Sequence, residues 1–156
     1  MTTSSAAETR DLAAAMAAAA RPGDRVALIG PLGAGKTQFA KGFAAGLGVA
    51  EVVNSPSFTL MAEYRGRLPL FHQDLYRLAG AEDVLASGLL DVRQDEGVTV
   101  TEWAERLPAA LDAQRLDVSF TVLGDEMRML ALAAHGATFD RYIDAAARWA
   151  GSEGQR

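Results

Sequence analysis

The sequence predicts a single α/β domain. Segments with helical apolar spacing alternate along the chain with short strand-like runs. At one strand-to-helix junction, Gly30-Pro31-Leu32-Gly33-Ala34-Gly35-Lys36-Thr37 matches G-x-x-x-x-G-K-[ST] at every specified position. The 156 residues, 49% of them hydrophobic, suffice for a core without staples, and no repeat or long linker divides them. Residues 1–156 are therefore read as one P-loop domain, with 137–156 as a C-terminal helix and tail.

Each element has its own signal. Ser5-Ala6-Ala7-Glu8 is a capping-box pattern that opens a helix to about Ala20. Arg25 to Ile29, entered from the Pro22-Gly23 turn, is a short apolar run of the kind buried on both faces of a sheet. After Thr37, the residues Phe39, Phe43 and Leu47 recur at helical spacing, and Gly46 and Gly48 mark the helix end. Val52-Val53 is read as a short strand before the polar loop Asn54-Ser55-Pro56-Ser57. Phe58 to Tyr64 and Leu68 to Phe71 form a predicted hairpin around Arg65-Gly66. A helix over Ala81 to Leu90, broken at Gly88, leads to the strand Val98 to Thr101 and a short helix near Pro108. Leu116, Val118, Phe120 and Val122 alternate, and Met127 to Ala133 returns as a second hairpin past Gly124-Asp125. Phe139, Tyr142, Ile143, Ala146 and Trp149 give an amphipathic last helix with Thr138 as its cap.

The glycine-rich stretch implies a triphosphate cradle. Glycines let backbone N–H groups approach phosphate oxygens, and a helix starting at the loop adds its positive dipole end. Lys36 is placed for the β- and γ-phosphates and the Thr37 hydroxyl for Mg²⁺. The chain has 13 Arg but only two Lys, and one of the two is Lys36, a compact ammonium suited to a cramped anion site. Two further strands end in an acid: Leu68 to Asp74 and Val98 to Glu102. Ligands in α/β sheets bind beyond the carboxyl ends of the parallel strands, so both acids are expected to converge on the loop.

Composition narrows the function classes. Without cysteine there is no disulfide framework and no thiolate metal site. The alanine-rich run Ala13 to Ala20 ends at Arg21-Pro22 and is too short to span a membrane, and no basic segment precedes it; a cytoplasmic location is the expectation. A net charge of −5 argues against direct grip on nucleic acid, so any link to RNA is expected to run through a partner protein.

Glu8-Thr9-Arg10-Asp11-Leu12-Ala13, the motif at 30–37, Ser55-Pro56-Ser57-Phe58-Thr59-Leu60, His72-Gln73-Asp74-Leu75-Tyr76-Arg77-Leu78 and Thr101-Glu102-Trp103 occur in this order. Together they resemble the bacterial TsaE family, also called YjeE, over residues 9–136. The pairing of the third and fourth of these motifs, SPSFTL with HQDLYRL, is far more specific than the P-loop. The resemblance implies a small P-loop domain with a mixed, mostly parallel sheet flanked by helices. It further implies an ATPase of tRNA N6-threonylcarbamoyladenosine (t6A) formation that acts with the TsaD and TsaB proteins, with ATP and Mg²⁺ as cofactors and tRNA met only indirectly.

By the same resemblance, Gly33, Ala34, Gly35, Lys36, Thr37 and Gln38 hold the phosphates and Thr37 ligates Mg²⁺. Glu102 corresponds to the magnesium-associated acid and Asp74 to the catalytically important aspartate; either is a candidate to ligate metal while the other orients water. Thr9 and Arg128 match positions that contact the nucleotide. Ser55, Ser57 and Thr59 fall in a segment resembling a switch loop. Ser57 stands where the family has Thr, and Gln38 where it has a second Thr or Ser. Two other readings share the loop: a small-molecule kinase, for which Arg93 alone is available as a lid arginine between Asp83 and Glu105, and a nucleotide-gated binding module. A GTPase lacks its Asn-Lys-x-Asp stretch here.

Overall fold

A computed structural model describes residues 1–89, 91–107 and 113–153. The elements are β1 (Thr2–Thr3), α1 (Ala6–Ala17), β2 (Arg25–Ile29), α2 (Lys36–Gly46), β3 (Met61–Arg65), β4 (Pro69–Asp74), α3 (Ala81–Ala86), β5 (Val98–Glu102), β6 (Arg115–Val122), β7 (Arg128–His135) and α4 (Asp140–Glu153). All seven strands join one sheet in the order β1-β7-β6-β2-β5-β4-β3. β6, β2, β5 and β4 run parallel, whereas β3 and β7 lie antiparallel to their neighbours and β1 antiparallel to β7. Five strands thus share one direction, and the sheet is mixed and mostly parallel, as expected.

Strand alternation sorts the residues between the two faces. Val26 and Leu28, Leu70, Val98 and Val100, Leu116, Val118 and Phe120 join one buried cluster with Leu12 and Met16 of α1, Phe39 and Phe43 of α2 and Tyr142 of α4. The residues between them carry a polar layer: Thr101 donates to Gln73 Oε1 at 3.1 Å, and Gln73 and Gln94 both donate to the Leu89 carbonyl. On the core face the same alternation continues from Leu70 through His72 to Asp74, and from Val98 through Val100 to Glu102. Both acids therefore emerge at the carboxyl ends of adjacent parallel strands, paired in register.

The Ser5 hydroxyl accepts from Glu8 N at 3.1 Å and caps α1, while the Glu8 carboxylate reaches back to Ser4 N. α4 is tied to the α1–β2 corner by Asp24, whose Oδ2 accepts from Arg21 N (2.9 Å), the Tyr142 hydroxyl (2.5 Å) and Arg141. Burial, and then the bond to Asp24, push the Tyr142 phenol well above its ordinary pKa.

Several boundaries differ from expectation. Val52-Val53 has no strand partner among the described residues. β3 begins at Met61 because 57–60 form a turn in which Leu60 takes φ +68 and donates to the Pro56 carbonyl. Thr138 is inside a 3-10 turn, Ala137–Phe139, rather than capping α4 with its side chain; its carbonyl accepts from Arg141. The two-residue β1 carried no signal. Residues 90 and 108, to which the third and fourth predicted helices extend, lie outside the described residues, as does the tail beyond 153.

Candidate functional site

β2 delivers the chain to the loop at 30–37, and α2 leaves it at Lys36. Gly35 precedes the helix at φ +106, a conformation that a side chain strongly disfavours. Gly30 packs under Phe120 so closely that a Cβ would lie 3.0 Å from the Phe120 Cβ. Among the described residues no side chain caps α2, so its first N–H groups are available to an anion. The loop borders a cleft of about 580 Å³, a size that suits a small-molecule ligand, with Asp74, Tyr76, Arg77, Glu102 and Trp103 opposite and Ser55, Ser57 and Phe58 at the side.

The two acids are held differently. Glu102 Oε1 accepts from the Thr37 hydroxyl at 2.8 Å, and its Oε2 lies 2.6 Å from His72 Nε2. Asp74 Oδ1 accepts from Tyr76 N at 2.9 Å, and its Oδ2 accepts from the Ser55 hydroxyl and, at 3.3 Å, that of Ser57. The Lys36 ammonium donates to the Gly30 carbonyl and, at 2.9 Å, to that of Pro31; it also lies 4.0 Å from the centre of the Trp103 ring. Burial lowers its pKa, and the nearby Glu105, Glu102 and Asp74 carboxylates oppose that shift.

Known proteins resemble this chain over most of its length. Residues 3–130 match the family described as threonylcarbamoyl adenosine biosynthesis protein TsaE. The chain belongs to the TsaE family. The tRNA threonylcarbamoyladenosine biosynthesis protein TsaE of Bacillus subtilis (strain 168) is 41% identical over 142 residues, 90% of this chain and 89% of that protein. Its counterpart in Treponema pallidum (strain Nichols) is 46% identical over 111 residues, 71% and 82% of the two chains. The crystal structure of Bacillus subtilis YdiB superposes with a TM-score of 0.74 at 36% identity, covering 95% of this chain and 93% of that one.

Of the residues that the TsaE motifs single out, Gly33, Ala34, Gly35, Lys36, Thr37, Gln38, Asp74 and Glu102 line the cleft together. Gln38 additionally accepts from Arg10 at 2.6 Å. Arg128 sits behind the loop, donating to the carbonyls of Ala34 (3.1 Å) and Gly33 (3.2 Å), so it braces the loop rather than lining the cleft. Thr9 is buried away from it; its hydroxyl meets that of Thr3 at 2.7 Å. His135 pairs with Asp117 near the start of β6. Sequence reasoning left three features unassigned: the Lys36–Trp103 contact, the serine bonds to Asp74 and the His72–Glu102 bond. Trp103 takes φ +58, a positive value that its side chain does not signal.

The Thr37 hydroxyl and the Glu102 and Asp74 carboxylates in the cleft are hard oxygen donors, a set that fits magnesium rather than a softer metal. Among the described residues no three His, Cys, Asp or Glu side chains cluster, so a divalent ion here would depend on oxygens from a bound phosphate and water.

Proposed function

We propose that this chain binds ATP with Mg²⁺ in the cleft and hydrolyses it in support of t6A formation, together with the TsaD and TsaB proteins. The observation that carries the reading is the convergence of Thr37, Glu102 and Asp74 beside Lys36 at the uncapped start of α2. The names of the TsaE relatives support the pathway. A cytoplasmic setting belongs to this reading, and indirect contact with tRNA accords with the net charge of −5. Among the described residues no helix is long and apolar enough to cross a membrane.

Main-chain amides of 33–38 would take the phosphate oxygens, and Lys36 would exchange the carbonyls of Gly30 and Pro31 for them. Thr37 and Glu102 would hold the magnesium ion, which neutralises phosphate charge when bound. Asp74 would orient water for in-line attack: the water oxygen bonds the γ-phosphorus, the bond to the β–γ bridging oxygen breaks, and the water proton passes to the carboxylate. In the free chain Asp74 Oδ2 accepts from Ser55 and Ser57, so movement of that loop would free this oxygen for the attacking water. Slow hydrolysis alone, rising when a partner orders the loop, follows.

Reconstitution with TsaD, TsaB and tRNA tests the reading. Multiple-turnover t6A formation that depends on this chain supports it; equal t6A with and without the chain contradicts it. A nucleotide-gated binding role is the second reading, favoured by Leu32 and Phe58, about 77% and 82% exposed at the cleft rim. Normal t6A formation with an Asp74→Asn chain that binds but does not hydrolyse ATP would select it.

A further inference from the structure

His72 is fully buried on β4, between Ala62 of β3 and Val100 of β5 in the sheet register. Neither neighbour offers a polar side chain. Its Nε2 lies 2.6 Å from Glu102 Oε2, and its Nδ1 is buried without a hydrogen-bond partner among the described residues. A buried site with apolar neighbours would be filled at less cost by leucine, because the imidazole leaves one nitrogen unsatisfied. What the imidazole supplies and leucine cannot is the bond to Glu102. That carboxylate, only 3% exposed, divides its oxygens: Oε2 inward to His72, Oε1 outward to the Thr37 hydroxyl at 2.8 Å.

We propose that His72 is a positioning residue for Glu102: its Nε2–H fixes Oε2 on the inner side of β5 and so holds Oε1 and the Thr37 hydroxyl together as one oxygen pair for a divalent cation. The bond also fixes the tautomer, with the proton on Nε2, since a bare Nε2 lone pair would face a carboxylate oxygen. His72 touches neither the cleft nor any reacting atom. It acts through Glu102 alone, in the way that outer partners orient metal-binding side chains. The inference rests on the reading of Thr37 and Glu102 as the cation side of a nucleotide site.

A fluorescent ADP analogue titrated with Mg²⁺ tests it on the full chain, using wild type, His72→Leu and His72→Gln. The wild-type chain is expected to gain ADP affinity as Mg²⁺ is added. In His72→Leu the Mg²⁺ concentration at half-effect rises about 10–100-fold while affinity in excess chelator stays unchanged; His72→Gln, which retains an N–H donor, recovers part of the shift. A leucine variant whose Mg²⁺ midpoint stays within about twofold of wild type overturns the proposal and leaves the nucleotide site standing. A wild-type chain without nucleotide affinity removes both. Should the leucine variant fail to fold, ¹⁵N-histidine NMR of the wild type decides. A ring protonated on Nε2 supports the assignment, and a neutral ring protonated on Nδ1 overturns it.

Discussion

Asp74 and Glu102 occupy paired positions on neighbouring strands, yet their partners give them different tasks. Glu102 is fixed on both oxygens by β4 and α2, whereas Asp74 is held by the serine hydroxyls of a loop. Asp74→Asn keeps the size and the backbone contact but cannot accept a proton. It is expected to bind ADP like wild type and to lower ATP turnover by about 10²–10⁴-fold. Equal steady-state ATPase rates would remove Asp74 from the reaction. Lys36 gives a pH dependence. Its pKa lies below the ordinary 10.5 because burial disfavours the ammonium. Between that lowered value and 10.5 the folded chain holds fewer protons than the unfolded one, so this group makes stability rise with pH across that window. Phosphate binding needs the ammonium and runs the other way. Nucleotide affinity followed by fluorescence is expected to fall at a pH below 10.5, and a profile flat up to that value contradicts the assignment.

At the scale of elements, the α1–α2 contact is set by glycine. A Cβ on Gly42 would lie 2.2 Å from the Arg10 carbonyl oxygen and 2.5 Å from the Arg10 Cα. Backbone cannot give way as a side chain can, so Gly42→Ala must push the helices apart and is expected to cost about 1–3 kcal/mol in urea unfolding. No loss would show that the helices shift freely. Nothing at Gly42 in the sequence announces that contact. Strand β2, the loop and α2 were legible because apolar periodicity and a fixed motif coincide there, and β5 and the β6–β7 hairpin because residues alternate cleanly. Phe58 to Leu60 has the composition of a strand, since aromatic and β-branched residues favour strands, and the left-handed Leu60 that ends the turn leaves no compositional trace. Strand order, which puts β4 beside β5 and so pairs Asp74 with Glu102, follows from crossovers and not from local pattern. The cleft residues were legible as motifs; their mutual bonds, such as Ser55 to Asp74, arise only when separate segments meet.

For the whole molecule, one core joins α1, α2, α4 and the sheet, and the Asp24 cluster pins the last helix to it. Tyr142→Phe removes a buried hydroxyl that donates to a carboxylate and is expected to lower stability by about 1.5–3 kcal/mol, read by thermal or urea unfolding. The wild-type phenol keeps its proton in the folded state beyond 10.0, where the unfolded phenol ionises, so wild-type stability falls as pH rises past that point while the Phe variant lacks this contribution. The fold serves to hold a strand-to-helix loop rigid in front of two strand-end acids, and everything proposed about function depends on a nucleotide lodging there. Isothermal titration of the full chain with ADP and Mg²⁺, beside Lys36→Ala, examines that dependence directly. The account predicts saturable binding to the wild type and none to a folded Lys36→Ala chain; wild type that gives no binding, or a variant that binds equally well, would contradict it.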